Sequence, residues 1–312
     1  LKIIGPGVIT GAADDDPSGI ATYTQAGAKF GYGQLWTAVF ILPLMTAVQE
    51  ACARIGVVTG QGLAAVIKKY YSKKILSLAV ILILIANTIN IGANIGAMAE
   101  AARLVIHLNF TVLALFFTAL ILILEIFLSY KVYAKVLKWC ALALLAYPLT
   151  VFLVRQPWPE LIKATFRPQF EFSFDFLFII VGVLGTTISP YMFFWQASEE
   201  IEEEKNHHLF NYGRPKLSKK FMRNLRLDNF LGMLFSQIAA WSIIVVAGTV
   251  LHNNNILDVK NAADAARALE PLVSTFSNAG LWAKVIFALG IVGLGLLSVP
   301  VLSASASYAV SE

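Results

Sequence analysis

An all-α integral membrane protein, assembled from two inverted repeats that each open on a broken helix, is the fold class the sequence predicts. Three observations carry that expectation. The 312-residue chain is 58% hydrophobic and only 14% charged, with a mean hydropathy of +0.71, which lies outside the range of soluble globular domains. Apolar stretches long enough to cross a bilayer recur along it. Two of these, five spans apart, carry a helix breaker and polar residues in mid-span: Gly11-Ala12-Ala13-Asp14-Asp15-Asp16-Pro17-Ser18-Gly19 and Gly185-Thr186-Thr187-Ile188-Ser189-Pro190.

A helix needs about 20 apolar residues to span the hydrocarbon core. That length places eight spans, over residues 5–28, 35–57, 75–99, 110–129, 136–154, 174–198, 226–251 and 280–308. Residues 1–312 read as a single transmembrane domain, with a first repeat over roughly 5–154 and part of a second over roughly 174–308. The chain starts at Leu1 without an initiator Met and ends at Glu312 directly after an apolar run. Further helices are therefore expected in the natural protein, and the second repeat is expected to be incomplete.

Charge sets the orientation. Lys68, Lys69, Lys73 and Lys74 follow the second span, Lys131, Lys135 and Lys138 the fourth, and Lys205, Arg214, Lys216, Lys219, Lys220, Arg223 and Arg226 the sixth. The positive-inside rule puts these connections, and with them the amino terminus, in the cytoplasm of a cell whose plasma membrane holds the protein. The formal net charge of +5 is thereby explained without an acidic partner, and nucleic-acid binding is not supported. Lys29 to Gln34, Arg155 to Ser173 and His252 to Asn278 fall outside; within the last, an interfacial helix over 261–269 and a plain loop are both open. Cys52 and Cys140 lie in or beside apolar runs and read as free buried thiols. No resident cofactor is implied, divalent metal ions and the lipid bilayer are the expected partners, and oligomeric state is left open.

The breaks hold the chemistry. Pro17 cannot donate a backbone hydrogen bond and clashes with the preceding turn, while Gly11 and Gly19 ease the departure from helical geometry. The helix should end near Ala13 and restart near Gly19, leaving the carbonyls of its first half, Ala13 among them, as a negative dipole end beside Asp16. Carboxylates and carbonyls at membrane depth form a hard-oxygen nest of the type Mg²⁺, Mn²⁺ and Ca²⁺ prefer. Asp14 and Asp15 are further ligands or line the aqueous approach. Capping of a helix start by these acids is the bland alternative. In the second break Pro190 plays the same backbone part, and Thr186, Thr187 and Ser189 bring hydroxyls, which can equally bond back to the preceding turn.

Gly5-Pro6-Gly7, Asp16-Pro17, the run Gln25 to Gly33 (QAGAKFGYG), the run Ala53 to Gln61 (ARIGVVTGQ), Pro190, and the pattern from Phe235-Ser236-Gln237 to Ala247-Gly248-Thr249 resemble the NRAMP divalent-metal transporters. The resemblance implies a LeuT-like fold and a metal site made from Asp and Asn of an Asp-Pro-Gly-Asn motif on helix one, with a backbone carbonyl and a Met thioether on helix six. Here Asp16 is kept, the Asn position is Gly19, the carbonyl position is Thr186, and the Met position is Ser189. Loss of the thioether removes a preference for softer metals, and loss of Asn leaves room for an ion carried partly hydrated. The pattern is similar to the NRAMP-related magnesium transporters, implying Mg²⁺ and Mn²⁺ as cargo.

The family's proton-coupled members use acids on helix three and a His after the helix-six Pro. Aligned on Gly96, those acids become Asn90 and Ala93, and Tyr191 replaces the His. The expected transport is thus without proton coupling, driven by the metal gradient and by about 4.6 kcal/mol per 100 mV for a double charge. Glu50 and Glu125, the nearest substitute acids, are expected to pair with Arg54 and Lys131. The alternatives are a proton-coupled Mn²⁺/Fe²⁺ importer, and a sodium-coupled amino-acid transporter of the same fold, whose carboxylate substrate three acids would repel. A receptor is a further alternative; an intramembrane hydrolase, hence an enzyme, finds no nucleophile or paired-acid arrangement. The four His residues show no spacing for an intramembrane metal site.

Overall fold

The computed structural model describes residues 5–127, 136–137, 139–153, 155–206, 210–211, 214–215, 218–259 and 279–312. The first apolar segment is split into α1 (Pro6–Asp14) and α2 (Pro17–Phe30), each with Pro in its first turn, where the missing N–H costs nothing. Asp16 caps α2 by accepting from Gly19 N at 2.7 Å, so one carboxylate serves the new helix start. α2 ends at Gly31, whose φ of 56° a side chain would resist. α3 (Trp36–Thr59) ends on Gly60, in the left-handed region with φ 64°.

A short α4 (Leu63–Tyr70) leads to the long α5 (Lys73–Arg103), and α6 (Phe110–Phe127) follows. A 3-10 turn, Ala141–Leu145, runs into α7 (Ala146–Leu153), and α8 (Trp158–Phe166) lies in the next connection. The second interrupted segment is α9 (Phe174–Thr187) and α10 (Pro190–Asn206). Two-residue strands β1 (Phe210–Asn211) and β2 (Arg214–Pro215) pair antiparallel ahead of α11 (Lys219–Val250). A 3-10 turn at His252–Asn254 and α12 (Ala279–Ser311) complete the described elements.

Six runs among the described residues are long and apolar enough to cross a membrane: Trp36–Thr59, Lys73–Arg103, Phe110–Phe127, Phe174–Glu203, Lys219–Asn254 and Ala288–Ser311. The other two expected spans differ for distinct reasons. The first is shared between helices of 9 and 14 residues, because Asp16 and Pro17 stop one and start the other. The fifth is present as the shorter apolar helix Ala141–Phe152. Two short helices, α4 and α8, sit in connections where none was expected, and the two-residue strands are the only strands among the described residues of an otherwise all-α fold. The alternatives for 261–269 concern residues outside those described, as do Lys131, Lys135 and Lys138.

α11 packs on α1 and α2, α12 runs along α5, and α10 lies on α3. Small residues permit the closest of these approaches: a Cβ built on Gly11 would collide with the Gly232 carbonyl, and one on Gly232 with Gly7 O. Such glycine contacts let helices approach where no hydrophobic drive acts between them. Leu78, Ile81, Leu82, Ile85 and Ile89 of α5, with Phe116 and Phe127 of α6, are exposed. This apolar belt around polar-lined interior helices is the lipid face of an integral membrane protein. Glu50 pairs with Arg54, as expected, and also with Arg226 at 2.8 Å. Glu125 accepts from the Ser303 hydroxyl of α12; its expected partner, Lys131, lies outside the described residues.

Candidate metal site at the paired breaks

Asp14, Asp15 and Asp16 are completely buried, as is Ala13. α1 runs to Asp14, one residue beyond the expected end, and only Asp15 and Asp16 leave helical geometry before α2 resumes at Pro17, two residues earlier than expected. That short gap leaves Asp14 and Asp15 beside Ser236 of α11 and turns Asp16 toward α5. Asp16 Oδ1 accepts from Ser18 Oγ at 2.6 Å and Gly19 N at 2.7 Å, while its Oδ2 accepts from Asn94 Nδ2 of α5 at 3.0 Å. Asp14 Oδ2 faces Ser236 of α11 at 3.4 Å. Asp15 has the Ser236 and Tyr23 hydroxyls close by, yet neither of its oxygens completes a hydrogen bond.

The two breaks meet at Gly19. A Cβ built there would stand 3.0 Å from Thr186 Oγ1, 3.4 Å from Asp14 O and 3.5 Å from Asp16 Oδ1. Absence of a side chain thus lets a hydroxyl, a main-chain carbonyl and a carboxylate approach the Gly19 Cα closely. Thr186 Oγ1 has no hydrogen-bond partner among the described residues, and neither has Asn94 Oδ1. Buried oxygens without partners are costly in a membrane interior, and a cation or its waters would satisfy them. Among the described residues no three His, Cys, Asp or Glu side chains gather as a metal-binding group, so an ion here would rest on mixed oxygen donors.

The remaining candidates divide. Ser189 lies at the far side of the second break and donates to Thr186 O at 2.5 Å and Gly185 O at 3.2 Å, which engages the carbonyl expected to face an ion. Thr187 donates to Val183 O at 2.6 Å and shares a 3.0 Å contact with Tyr23 Oη; it bridges α9 to α2. Ala13 brings no side-chain donor, and the carbonyl beside Gly19 is that of Asp14. Pro17 and Pro190 begin α2 and α10 just past their gaps.

Of the three relay positions, Ala93 is exposed, Asn90 is half-buried and Tyr191 is buried. The α5 residue against Asp16 is Asn94, which also donates to Ser298 Oγ of α12 at 3.2 Å. The sequence reading passed over it. Asn87 and Asn94, seven apart and both buried, mark one helical face of a largely apolar span, and that spacing was the available signal. Asp228 was missed as well; its carboxylate accepts from Gly5 N and Gly7 N, each at 2.7 Å, and so holds the start of α1.

Apolar helices of membrane-crossing length, packed around two interrupted segments with buried carboxylates at the first, define an integral membrane protein. The family described as natural resistance-associated macrophage protein-like, Nramp, matches residues 7–312, and the chain belongs to it. It is 27% identical over 305 residues to the divalent metal cation transporter MntH of Chromohalobacter salexigens, covering 94% of this chain and 66% of that protein. With MntH of Klebsiella pneumoniae (strain 342) it shares 28% over 303 residues, covering 96% and 69%. A crystal structure of a variant of the Eremococcus coleocola manganese transporter superposes with a TM-score of 0.79 at 17% identity, covering 98% of this chain and 64% of that one. That likeness establishes the fold. The chain spans about two thirds of the length of these relatives.

Proposed function

We propose that the chain is the site-bearing part of a divalent-metal transporter of the plasma membrane, carrying Mg²⁺ and Mn²⁺ partly hydrated and without proton coupling. The single observation that carries this is the close approach of Asp16 Oδ1, Asp14 O and Thr186 Oγ1 to Gly19. All three are hard oxygens, a set that accepts Mg²⁺ as readily as Mn²⁺. Gly19 supplies no side-chain ligand, so in this reading water completes the ion's sphere, which suits Mg²⁺ because it dehydrates reluctantly. The names of the MntH relatives and of the manganese transporter support a divalent cargo. The inverted-repeat arrangement, with an interrupted helix opening each repeat and a cytoplasmic amino terminus, belongs to the same reading.

Absence of proton coupling is supported by what surrounds Asp16. Its partner on α5 is the amide of Asn94, which binds no proton near neutral pH, and a tyrosine, Tyr191, follows Pro190. The relatives' class favours the second reading, a proton-coupled Mn²⁺ or Fe²⁺ importer. Uptake into proteoliposomes with an internal pH dye and an imposed potential separates the two. Voltage-driven entry of Mg²⁺ and Mn²⁺ without acidification is expected; Mn²⁺ entry with acidification and no Mg²⁺ flux would overturn the reading. Asp16→Asn in a folded protein should abolish flux of both ions.

A further inference from the structure

We propose that the cavity between the end of α2, α8 and the end of α11 is a second metal site, selective for transition metals and built on His252, Asn253 and Glu160. The cavity has a volume of about 430 Å³ and is lined by these three residues together with Tyr32, Lys163 and Gln169. It is remote from Asp16, which caps the start of α2, whereas Gly31 ends it; 14 helical residues place the two about 20 Å apart.

Two side chains in the cavity are held so that an electron pair is left over. His252 Nδ1 lies 2.9 Å from Ala28 O. A carbonyl only accepts, so Nδ1 carries the proton and Nε2 keeps its lone pair, the arrangement that prepares imidazole for a metal. Asn253 Nδ2 donates to Thr249 O at 2.9 Å, which orients the amide and leaves Oδ1 as the acceptor. Both residues sit in the 3-10 turn His252–Asn254, which follows α11 directly through Leu251. Gly31 makes room for the ring: a Cβ on it would stand 3.1 Å from His252 Cδ2. The third donor, Glu160, comes from the first turn of α8 and forms no ion pair among the described residues. Tyr32 Oη is engaged with Thr249 Oγ1 at 2.9 Å and is not counted as a donor to the ion.

One imidazole nitrogen, one carboxylate and one amide oxygen, with water completing the sphere, suit Mn²⁺, Fe²⁺, Co²⁺ or Zn²⁺; the nitrogen disfavours Mg²⁺ and Ca²⁺. The preference differs from that of the all-oxygen set at Gly19. In the orientation of the proposed function the cavity opens on the outer side, where an occupant would meet metal before the interior site does. Only that placement rests on the transport reading; the binding chemistry does not.

The test is a Mn²⁺ titration of the purified full chain carrying Asp16→Ala, with free Mn²⁺ read by electron paramagnetic resonance in excess Mg²⁺. One Mn²⁺ per chain is expected to remain bound and to be displaced by Zn²⁺. His252→Ala should weaken it at least tenfold. Glu160→Gln, at an exposed position where folding is not at stake, should do the same, and Lys163→Ala should leave it in place or tighten it. Loss of all Mn²⁺ binding with Asp16→Ala alone, or binding indifferent to both His252→Ala and Glu160→Gln, would overturn the proposal. Since Asp16 is removed throughout, failure of the interior Mg²⁺ site would not alter these outcomes.

Discussion

The Asn94 amide of α5 donates to Asp16 Oδ2 at 3.0 Å while Asp16 Oδ1 stays on the Gly19 side, held by Ser18 and Gly19 N. One oxygen of the carboxylate is thus fixed by a neutral donor and the other is presented toward Thr186. Outer-shell partners of this kind orient ligands and set affinity. Asn94→Ala should therefore weaken Mg²⁺ and Mn²⁺ binding by about 10- to 100-fold while the protein remains folded. Isothermal titration of the variant in detergent checks this; unchanged affinity for both ions would remove Asn94 from the site.

Asp228 holds α1 at its start, since Gly5 N and Gly7 N each donate to it at 2.7 Å. Both donors belong to the unpaired first turn of a helix, where a negative charge also favours the dipole. Asp228→Ala leaves both without this acceptor and should cost about 1–3 kcal/mol. The expected result is a lower thermal midpoint and faster proteolysis near residue 5, with metal specificity unchanged.

Gly11 of α1 and Gly232 of α11 touch backbone to backbone. Gly11→Ala drives a methyl into the Gly232 carbonyl, and neither helix can retreat without opening the packing around Asp14 and Ser236. Overpacking of this order costs about 1–3 kcal/mol. Thermal unfolding of Gly11→Ala should show the loss. Gly185→Ala, where a Cβ meets nothing within 4 Å, should be tolerated and serves as the control.

Membrane class and most span positions were legible because they depend on composition and length, quantities that survive any tertiary arrangement. The interruption at Asp16-Pro17 was equally legible, since Pro dictates local backbone. Side-chain direction was not. Where Asp14, Asp15 and Asp16 point depends on how many residues leave the helix; two do, and Asp16 faces Asn94 while Asp14 and Asp15 lie beside Ser236. The α5 neighbour of Asp16 was hidden for a related reason: in a straight helix a one-residue step rotates a side chain by about 100°, which is enough to separate exposed Ala93 from buried Asn94. Asp228 lay beyond reach because its partners, Gly5 and Gly7, are more than 200 residues away and are backbone groups that carry no side-chain signal.

Ser189 donates to Thr186 O at 2.5 Å, so a hydroxyl occupies the carbonyl that would otherwise face an ion from α9. Ser189→Met makes two changes with one sign. It frees that carbonyl, and it adds a polarisable thioether at the second break, a donor that favours softer cations over Mg²⁺. Competition between Cd²⁺ and Mg²⁺ in proteoliposome uptake is the appropriate readout, because both effects move the ratio and a general loss of folding moves neither ion selectively. The Cd²⁺ to Mg²⁺ flux ratio should rise at least tenfold, corresponding to about 1.4 kcal/mol of altered discrimination. An unchanged ratio with both fluxes intact would mean that position 189 lies outside the ion's reach and that selectivity resides on the α1 to α2 side of the gap, at Asp16 and Gly19.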